Sequence, residues 1–384
     1  MRINFTMMST TRSGGARAIY EVANGLTRRG HDVTITALQG DHSWFPLEVP
    51  VIYVEKPFPL KMLRPLIALK SNQPELYSNM DDVLRVLRMG VEVDLVKPLT
   101  DAIPDCDINV ATWFHTSFAV YRSNKGIPFY LFMDFEEMVR PLGEYFLQMF
   151  KESLYLPLNI ITISGWLGEW IRTKYHKEST ICGVGIDHDV FYPRDDTLNI
   201  PGQKVMGILR GWEHKGDGDL IKALNIVAKQ VKDLHFLAVG SKESLQKLKT
   251  DEFDFDYQFF DSPDDNELSK IYNSADVFAF PSHMEGFGLP PLEAMGCGCP
   301  VVTTDCFGTR DYVEDEVNAL QVSAQDPEAM ASSIIKLLND KNLTEKLRIN
   351  GMKTAQMFTW DRVVDKFEEE FFNAKDFNAK ENLK

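Results

Sequence analysis

Residues 281–293 read PSHMEGFGLPPLE. This stretch sets two carboxylates, Glu285 and Glu293, on either side of a glycine-rich turn that runs into a helix start. Glycine lets the backbone approach a ligand closely, and proline is tolerated in the first turn of a helix. The N–H groups and the dipole of a helix start attract anions, while each carboxylate can accept hydrogen bonds from hydroxyl groups. The stretch therefore predicts a sugar-nucleotide site, and the alternative is a surface turn with ordinary acidic residues.

The longer run 275–302, ADVFAFPSHMEGFGLPPLEAMGCGCPVV, resembles the signature of the family 4 glycosyltransferases, which belong to glycosyl transferases group 1. The resemblance implies a retaining enzyme of the GT-B fold, an α/β architecture with two Rossmann-like doubly wound domains that face a central cleft. It assigns the transferred sugar to Glu285 and the ribose of the nucleotide to Glu293. It also assigns donor binding to the turn between them, Gly286, Phe287, Gly288 and Leu289.

Apolar strands alternate with amphipathic helices in two series, which independently predicts two doubly wound domains. In the first series, strands are expected at 3–8, 31–38, 108–112, 128–133 and 160–164, with helices at 16–29 and 166–175. In the second, strands are expected at 205–209, 234–239, 277–280 and 301–304, with helices at 220–231, 267–273 and 292–295.

A glycine- and proline-containing stretch, 183–193, separates the two series and suits a hinge. We therefore predict an N-terminal Rossmann-like domain over 1–183 and a C-terminal one over 184–358. By resemblance, the first binds the acceptor and the second binds the nucleotide-sugar donor. The resemblance also implies that a final helix over 359–384 crosses back to the N-terminal domain.

Composition limits the function classes. With 384 residues and 44% apolar content, the chain can bury a large core. Its net charge of −15 argues against a nucleic-acid partner. Residues 1–180 carry 19 Lys and Arg against 20 Asp and Glu, and residues 181–384 carry 22 against 36. The first half is thus nearly neutral and compatible with an anionic acceptor or a membrane surface.

Cysteines and apolar runs add two expectations. The five cysteines do not show the paired spacings of a disulfide framework or a zinc site. The opening residues MRINFTMM resemble a strand rather than a leader, and no run of eighteen apolar residues occurs. We therefore predict a cytoplasmic protein that does not span the membrane.

Two cations, Arg210 and Lys215, follow the predicted strand 205–209, at the sheet edge where α/β domains bind ligands. A guanidinium and an ammonium there can stabilise the charge that grows on a departing nucleoside diphosphate. They resemble the arginine and lysine of the family's donor site, although Leu209 stands where the family has glycine. Solvated surface cations are the alternative.

The first strand is followed by Gly14 and Gly15, which can bring the backbone near a phosphate or a sugar. The resemblance places this pair near the donor phosphate and the acceptor. The spacing lacks the G-x-G-x-x-G fingerprint, and the second strand lacks the following acidic residue, so NAD binding is disfavoured. A tight turn without a ligand is the alternative.

His115 and Asp134 each follow a predicted buried strand and are candidates for a catalytic role at the sheet edge. Many family members carry a histidine immediately before the aspartate, where this chain has Met133. The sequence Asp134-Phe135-Glu136 looks similar to a rhamnosyltransferase-like subset. For His115 alone, a structural histidine is the competing interpretation.

Residues 56–70, KPFPLKMLRPLIALK, combine four cations with large apolar side chains and no acid. Such a segment could contact anionic lipid peripherally at the inner face of the membrane. Three prolines disfavour a continuous helix, so a loop over the acceptor cleft or plain surface is the alternative.

These observations predict a retaining glycosyltransferase that moves a hexose or deoxyhexose from a nucleoside-diphosphate sugar to a hydroxyl of a glycan or lipid-linked acceptor. The sugar nucleotide is then a co-substrate, and no metal or other cofactor is expected. The D-x-D pairs at 105–107, 187–189 and 217–219 lack a supporting motif. The rivals are a sugar-nucleotide epimerase of the same fold, a noncatalytic subunit that binds sugar nucleotide or glycan, and a dehydrogenase.

Overall fold

The computed structural model of this chain describes residues 1–54, 91–248, 250 and 253–381. The basic segment 56–70, for which we considered membrane contact, lies outside the described residues. The described chain divides into two compact units: unit 1 runs up to Gly183 and resumes at Asp361, and unit 2 runs from Val184 to Trp360. Among the described residues, no helix combines the length and the apolar character needed to cross a bilayer.

Unit 1 contains a parallel sheet in the order β3-β2-β1-β4-β5-β6-β7. The strands are β1 (Arg2–Ser9), β2 (Asp32–Gln39), β3 (Val51–Tyr53), β4 (Ile108–Ala111), β5 (Ile127–Phe132), β6 (Asn159–Thr162) and β7 (Thr180–Ile181). The helices are α1 (Gly14–Arg28), α2 (Lys97–Ala102), α3 (Phe114–Ser123), α4 (Glu136–Val139), α5 (Glu144–Ser153) and α6 (Gly165–Tyr175). The central strands are buried because helices cover both faces of a parallel sheet, and their polar side chains Asn4, Thr6 and Asn109 hydrogen-bond to one another.

Unit 2 contains a second parallel sheet, in the order β10-β9-β8-β11-β12-β13. Its strands are β8 (Gln203–Leu209), β9 (Leu234–Gly240), β10 (Asp256–Asp261), β11 (Val277–Phe280), β12 (Val301–Thr304) and β13 (Leu320–Val322). Its helices are α7 (Asp217–Ala228), α8 (Lys242–Gln246), α9 (Asp265–Ser274), α10 (Leu289–Gly296), α11 (Pro327–Asn339) and α12 (Lys341–Ala355). Strands β8, β9 and β11 form its buried centre together with the inner faces of α7 and α11.

The last helix, α13 (Trp360–Glu381), packs almost entirely within unit 1. Its Phe371 ring meets Phe129 of β5 with centroids 4.9 Å apart. Val364 lies so close to Gly25 of α1 that a Cβ added there would sit 2.5 Å from its Cγ2 atom. The end of the chain is thus held against both the sheet and the first helix of unit 1.

Each sheet reverses its direction of growth next to its first strand, between β1 and β4 in unit 1 and between β8 and β11 in unit 2. In open parallel sheets, ligands bind beyond the carboxyl ends of the strands at such a switch point. The loops that follow β1 and β4, and those that follow β8 and β11, are therefore the places to look for chemistry.

Candidate functional site

Two loops meet at the switch point of unit 2. The first, 210–216, follows β8, and the second, 281–288, follows β11. The backbone N–H of His283 donates to the carbonyl of His214 at 2.9 Å. Gly216, with φ of +71°, comes so close to the second loop that an added Cβ would lie 2.1 Å from the carbonyl oxygen of Pro281. The backbone alone thus locks the two loops together.

Glu285 and Lys215 form an ion pair at this junction. The Lys215 Nζ atom lies 2.8 Å from Oε1 of Glu285, and the Ser282 hydroxyl donates to the same oxygen at 2.7 Å. Both charged side chains are mostly buried, with 16% of Glu285 and 19% of Lys215 exposed. Partial burial reduces solvent screening, so this pair is held more firmly than a surface ion pair. The structure therefore brings together two residues that the sequence singled out separately.

Glu293 lies on the second turn of α10 and is 8% exposed. The hydroxyl of Tyr272, from α9, donates to its Oε2 atom at 3.2 Å. Burial, together with the neighbouring Glu293 carboxyl, raises the pKa of Tyr272 well above its ordinary value, so the phenol keeps its proton and remains a donor. Tyr272 thereby orients the carboxyl group that the resemblance assigns to ribose.

Arg210 extends from the end of β8 and is exposed. Its positive charge lies near the Asp217 carboxyl and the Tyr272 hydroxyl. The two cations of the first loop therefore differ: Lys215 is mostly buried and paired with Glu285, whereas Arg210 is exposed. This leaves the Arg210 fork accessible to a phosphate group.

The glycine turn leads into α10 through Gly288, which caps the helix in the left-handed region with φ of +82°. Pro290 and Pro291 occupy the first turn and carry no N–H, so the backbone donors nearest the helix start are those of Gly288 and Leu289. The Tyr312 hydroxyl donates to the carbonyl of Gly288, and this hydrogen bond helps to hold the turn in place. The helix start is thus rigid, but it offers fewer donors than a helix without prolines.

Phe287 was assigned to donor binding together with its neighbours, and its side chain has another role. It is 4% exposed, and its ring packs against Tyr312 and Phe358, with centroids 5.3 and 6.0 Å away. Only the backbone of Phe287 can therefore face a ligand. The partly exposed positions of the turn are Gly286 and Leu289.

In unit 1, the glycine loop and the segment after β5 lie together. Ser13 caps α1 by accepting from the N–H of Ala16 at 3.1 Å. An added Cβ at Gly14 would meet no atom within 4 Å, and one at Gly15 would lie 3.6 Å from the Met133 side chain. Gly14 therefore leaves open space at the helix start, next to the segment that carries Asp134.

Asp134 and His115 are both 5% exposed and lie at the carboxyl ends of neighbouring strands. Among the described residues, Oδ2 of Asp134 and both ring nitrogens of His115 have no hydrogen-bond partner. Burial raises the pKa of Asp134 well above its usual range and lowers the pKa of His115 to about 3. Burial therefore favours the neutral form of both groups, which suits hydrogen bonding rather than ionic contact.

Glu136, the last residue of the Asp134-Phe135-Glu136 motif, is engaged within unit 1. Its carboxylate accepts from the Tyr175 hydroxyl at 2.5 Å, and the Lys174 Nζ atom lies 2.6 Å away. This network connects α4 to α6, so Glu136 has a structural role.

The protonation of Asp134 gives a testable prediction. The unfolded chain releases this proton near pH 3.8, whereas the folded chain keeps it to a higher pH. Between those values the folded state binds more protons, so its stability falls as the pH rises. The unfolding free energy of Asp134→Asn minus that of the native chain should therefore increase with pH above about 4, by at most about 1.4 kcal/mol per unit. Urea unfolding from pH 4 to 8 measures this difference.

Glu137→Gln provides the control, because it removes an exposed carboxyl three residues away. It shows how much a surface charge alone contributes to the pH dependence. If Asp134→Asn and Glu137→Gln give the same pH profile, Asp134 is ionised in the folded state and the assignment is wrong.

Comparison with known proteins identifies the second unit. Residues 202–354 match the family described as Glycosyl transferases group 1. The chain carries a glycosyl transferases group 1 domain. An uncharacterized glycosyltransferase from Haemophilus influenzae is 22% identical over 373 residues, covering 95% of this chain and 98% of the relative. The capsular polysaccharide biosynthesis glycosyltransferase CapM of Staphylococcus aureus is 30% identical over 229 residues, covering 54% of this chain and 59% of the relative.

A solved structure extends the similarity to the fold of both units. The crystal structure of Anabaena Alr3699/HepE in complex with UDP and glucose matches with a TM-score of 0.71 at 18% identity, covering 97% of this chain and 100% of that chain. The predicted α/β GT-B class, with two Rossmann-like parallel sheets, is confirmed. The predicted resemblance to glycosyl transferases group 1 is likewise confirmed.

Three supporting residues of this glycosyltransferase domain were not predicted from the sequence. Ser282 and Tyr272 donate to the two glutamates, and Asp217 accepts from the backbone of the first loop. Ser282 lies three residues before Glu285, and that spacing was a usable signal. Tyr272 lies 21 positions before its partner on another helix, so its role depends on tertiary packing.

Proposed function

We propose that this chain transfers a hexose or deoxyhexose from a nucleoside-diphosphate sugar to a hydroxyl of a glycan or glycolipid acceptor, with retention of anomeric configuration. The family supports glycosyl transfer. The choice of donor and acceptor class rests on the chemistry of the site.

The ion pair between Lys215 and Glu285 is the observation that carries the proposal. At the junction of a sugar and a diphosphate, neutral hydroxyls lie next to anionic oxygens. A carboxylate and an ammonium 2.8 Å apart match that pattern, because one accepts from hydroxyls and the other donates to phosphate. The ammonium has three donors, so its bond to Glu285 leaves others for the ligand.

The leaving diphosphate acquires negative charge as the glycosidic bond breaks. We assign the stabilisation of that charge to Arg210 and Lys215, helped by the backbone donors at the start of α10. With two cations in this role, the reaction needs no divalent metal, and transfer should continue in the presence of a chelator.

In unit 1, we assign contact with the acceptor to Gly14, Gly15, His115 and Asp134. A neutral buried carboxyl can donate a hydrogen bond to a hydroxyl, and a neutral imidazole can donate or accept one. In this proposal Asp134 orients a hydroxyl and does not serve as a nucleophile.

Two of the similar proteins support the choice of ligands. HepE is described with UDP and with glucose, and CapM is described as a glycosyltransferase of capsular polysaccharide biosynthesis. Both descriptions agree with a nucleotide-sugar donor and a glycan acceptor here.

A thermal-shift panel tests the donor site. We expect UDP, GDP, dTDP or ADP at millimolar concentration to raise the melting temperature selectively, because a ligand that binds only the folded state stabilises it by RT ln(1 + [L]/Kd). At 100 times Kd the gain is about 2.7 kcal/mol. NAD serves as the comparison, and a shift with NAD alone would overturn the proposal.

A transfer assay then separates the enzyme classes. The native chain is incubated with the matching sugar nucleotide, with and without an oligosaccharide or polyprenyl-phosphate glycan, in the presence of EDTA. Glycosylated acceptor is the expected product. Conversion of the sugar nucleotide without acceptor indicates an epimerase, and binding without turnover on any acceptor indicates a noncatalytic subunit.

A further inference from the structure

The loop that carries both cations is closed by one side chain. Asp217 is the first residue of α7 and is 5% exposed. Its Oδ2 atom accepts from the backbone N–H groups of Arg210 at 2.9 Å and Gly211 at 2.6 Å. A single carboxylate oxygen thus joins the start of the loop to the helix that follows its end.

Other contacts complete the closure. The N–H of Lys215 donates to the carbonyl of Trp212 at 2.9 Å. From the end of α8, the Lys247 Nζ atom donates to the carbonyl of Gly211 at 2.8 Å, and it lies 5.4 Å from the centre of the Trp212 ring. The loop is therefore held by Asp217 on the inside and by Lys247 on the outside.

This arrangement fixes the backbone at Arg210. Its N–H donates to the buried Asp217, while Arg210 itself is an exposed residue. Arg210 would otherwise sit at the start of a glycine-containing loop with many accessible conformations. A loop that becomes ordered only when the ligand binds lowers the affinity, because the entropy lost on ordering opposes binding. A loop that is already ordered avoids this cost.

Asp217 acts on this loop as a hydrogen-bond acceptor through its Oδ2 atom. Burial raises its pKa, against the opposing effects of the two N–H bonds and of the charges on Arg210 and Lys215. Among the described residues, its Oδ1 atom has no hydrogen-bond partner. A full negative charge beside a diphosphate site would also repel the ligand.

We propose that Asp217 is a positioning residue for diphosphate binding: by accepting from the N–H groups of Arg210 and Gly211, it holds the guanidinium of Arg210 ready for the phosphate. The inference rests on the proposed function, since it presumes that Arg210 binds the diphosphate of the donor. It adds a residue that acts through another and does not touch the ligand.

The test compares three variants of the whole chain by calorimetric titration with inorganic pyrophosphate and with the nucleoside diphosphate selected by the panel. Asp217→Ala removes both hydrogen bonds and should raise Kd about 10-fold, which corresponds to about 1.4 kcal/mol. Asp217→Asn keeps an acceptor oxygen and should stay within about 3-fold of the native chain. Glu213→Gln, which removes an exposed carboxylate from the same loop, should bind like the native chain.

A double-mutant cycle distinguishes positioning from general support of the fold. If Asp217 acts through Arg210, Asp217→Ala should weaken binding by less than about 2-fold when Arg210→Gln is already present. A loss of equal size in both backgrounds would show a structural role and overturn the inference. If Asp217→Ala does not fold, Asp217→Glu replaces it, because the added methylene displaces the acceptor oxygen.

The remaining outcomes are also decisive. Native binding together with unchanged binding by Asp217→Ala overturns the inference and leaves the proposed function standing. Equal losses in Asp217→Ala and Asp217→Asn would assign the effect to charge and overturn it as well. A native chain that binds neither pyrophosphate nor any nucleotide overturns the proposed function, and the inference falls with it.

Discussion

Glu285→Gln is expected to lower the rate of sugar transfer by roughly 100-fold or more at saturating donor, while the affinity for the nucleoside diphosphate changes little. The substitution keeps the size of the side chain but removes the charge that Lys215 and Ser282 stabilise at 2.8 and 2.7 Å. If Glu285 contacts the transferred sugar and not the nucleotide, the loss belongs to turnover. Initial rates and product titration measure kcat and Kd separately.

Glu213→Gln is the matched control, because Glu213 lies on the opposing loop and is exposed. It should retain activity close to that of the native chain. Combining Lys215→Gln with Glu285→Gln should give a smaller loss than the product of the two single losses, since the residues act as a pair. If Glu285→Gln retains more than half of the native turnover, the assignment of Glu285 is wrong.

The central strands were predicted from sequence because burial on both faces leaves mainly apolar residues, even though β1 and β12 also bury polar side chains such as Asn4 and Thr303. Predicted strands at 277–280 and 301–304 match β11 and β12, and those at 3–8 and 205–209 fall within β1 and β8. The edge strands were not predicted. Strand β10 reads DYQFFD and is largely exposed, so it lacks the buried apolar character of the central strands.

Only part of the site was predicted, because some of its features lie in short motifs and others depend on tertiary contacts. Glu285, Glu293, Arg210 and Lys215 are identifiable from short motifs, whereas the contact between Lys215 and Glu285 spans 70 positions and depends on the strand order. The role of Phe287 could not be read from its motif, because only packing shows that its ring lies in the core. The sequence considered Asp217 only as part of a D-x-D pair, yet the structure shows it bonding to backbone.

The contact between the two loops of unit 2 gives the second large prediction. Gly216→Ala should lower the free energy of unfolding by about 2–5 kcal/mol. The φ of +71° alone costs an L-residue about 1–2 kcal/mol, and crowding in a packed site adds about 1–3 kcal/mol. The added Cβ would lie 2.1 Å from the carbonyl oxygen of Pro281, so the loop after β8 must move away from the loop after β11.

Gly218→Ala is the control for this prediction, because it adds the same methyl group two residues further on. An added Cβ at Gly218 meets no atom within 4 Å, and the residue lies in the first turn of α7. Alanine there should raise stability by about 0.4–1 kcal/mol by restricting the unfolded chain. Urea unfolding compares the two variants with the native chain. Equal stability of Gly216→Ala and Gly218→Ala would mean that the two loops do not approach as closely as the structure shows.

If the contact is real, Gly216→Ala should also lose transfer activity at temperatures where it remains folded, because moving the first loop separates Lys215 from Glu285.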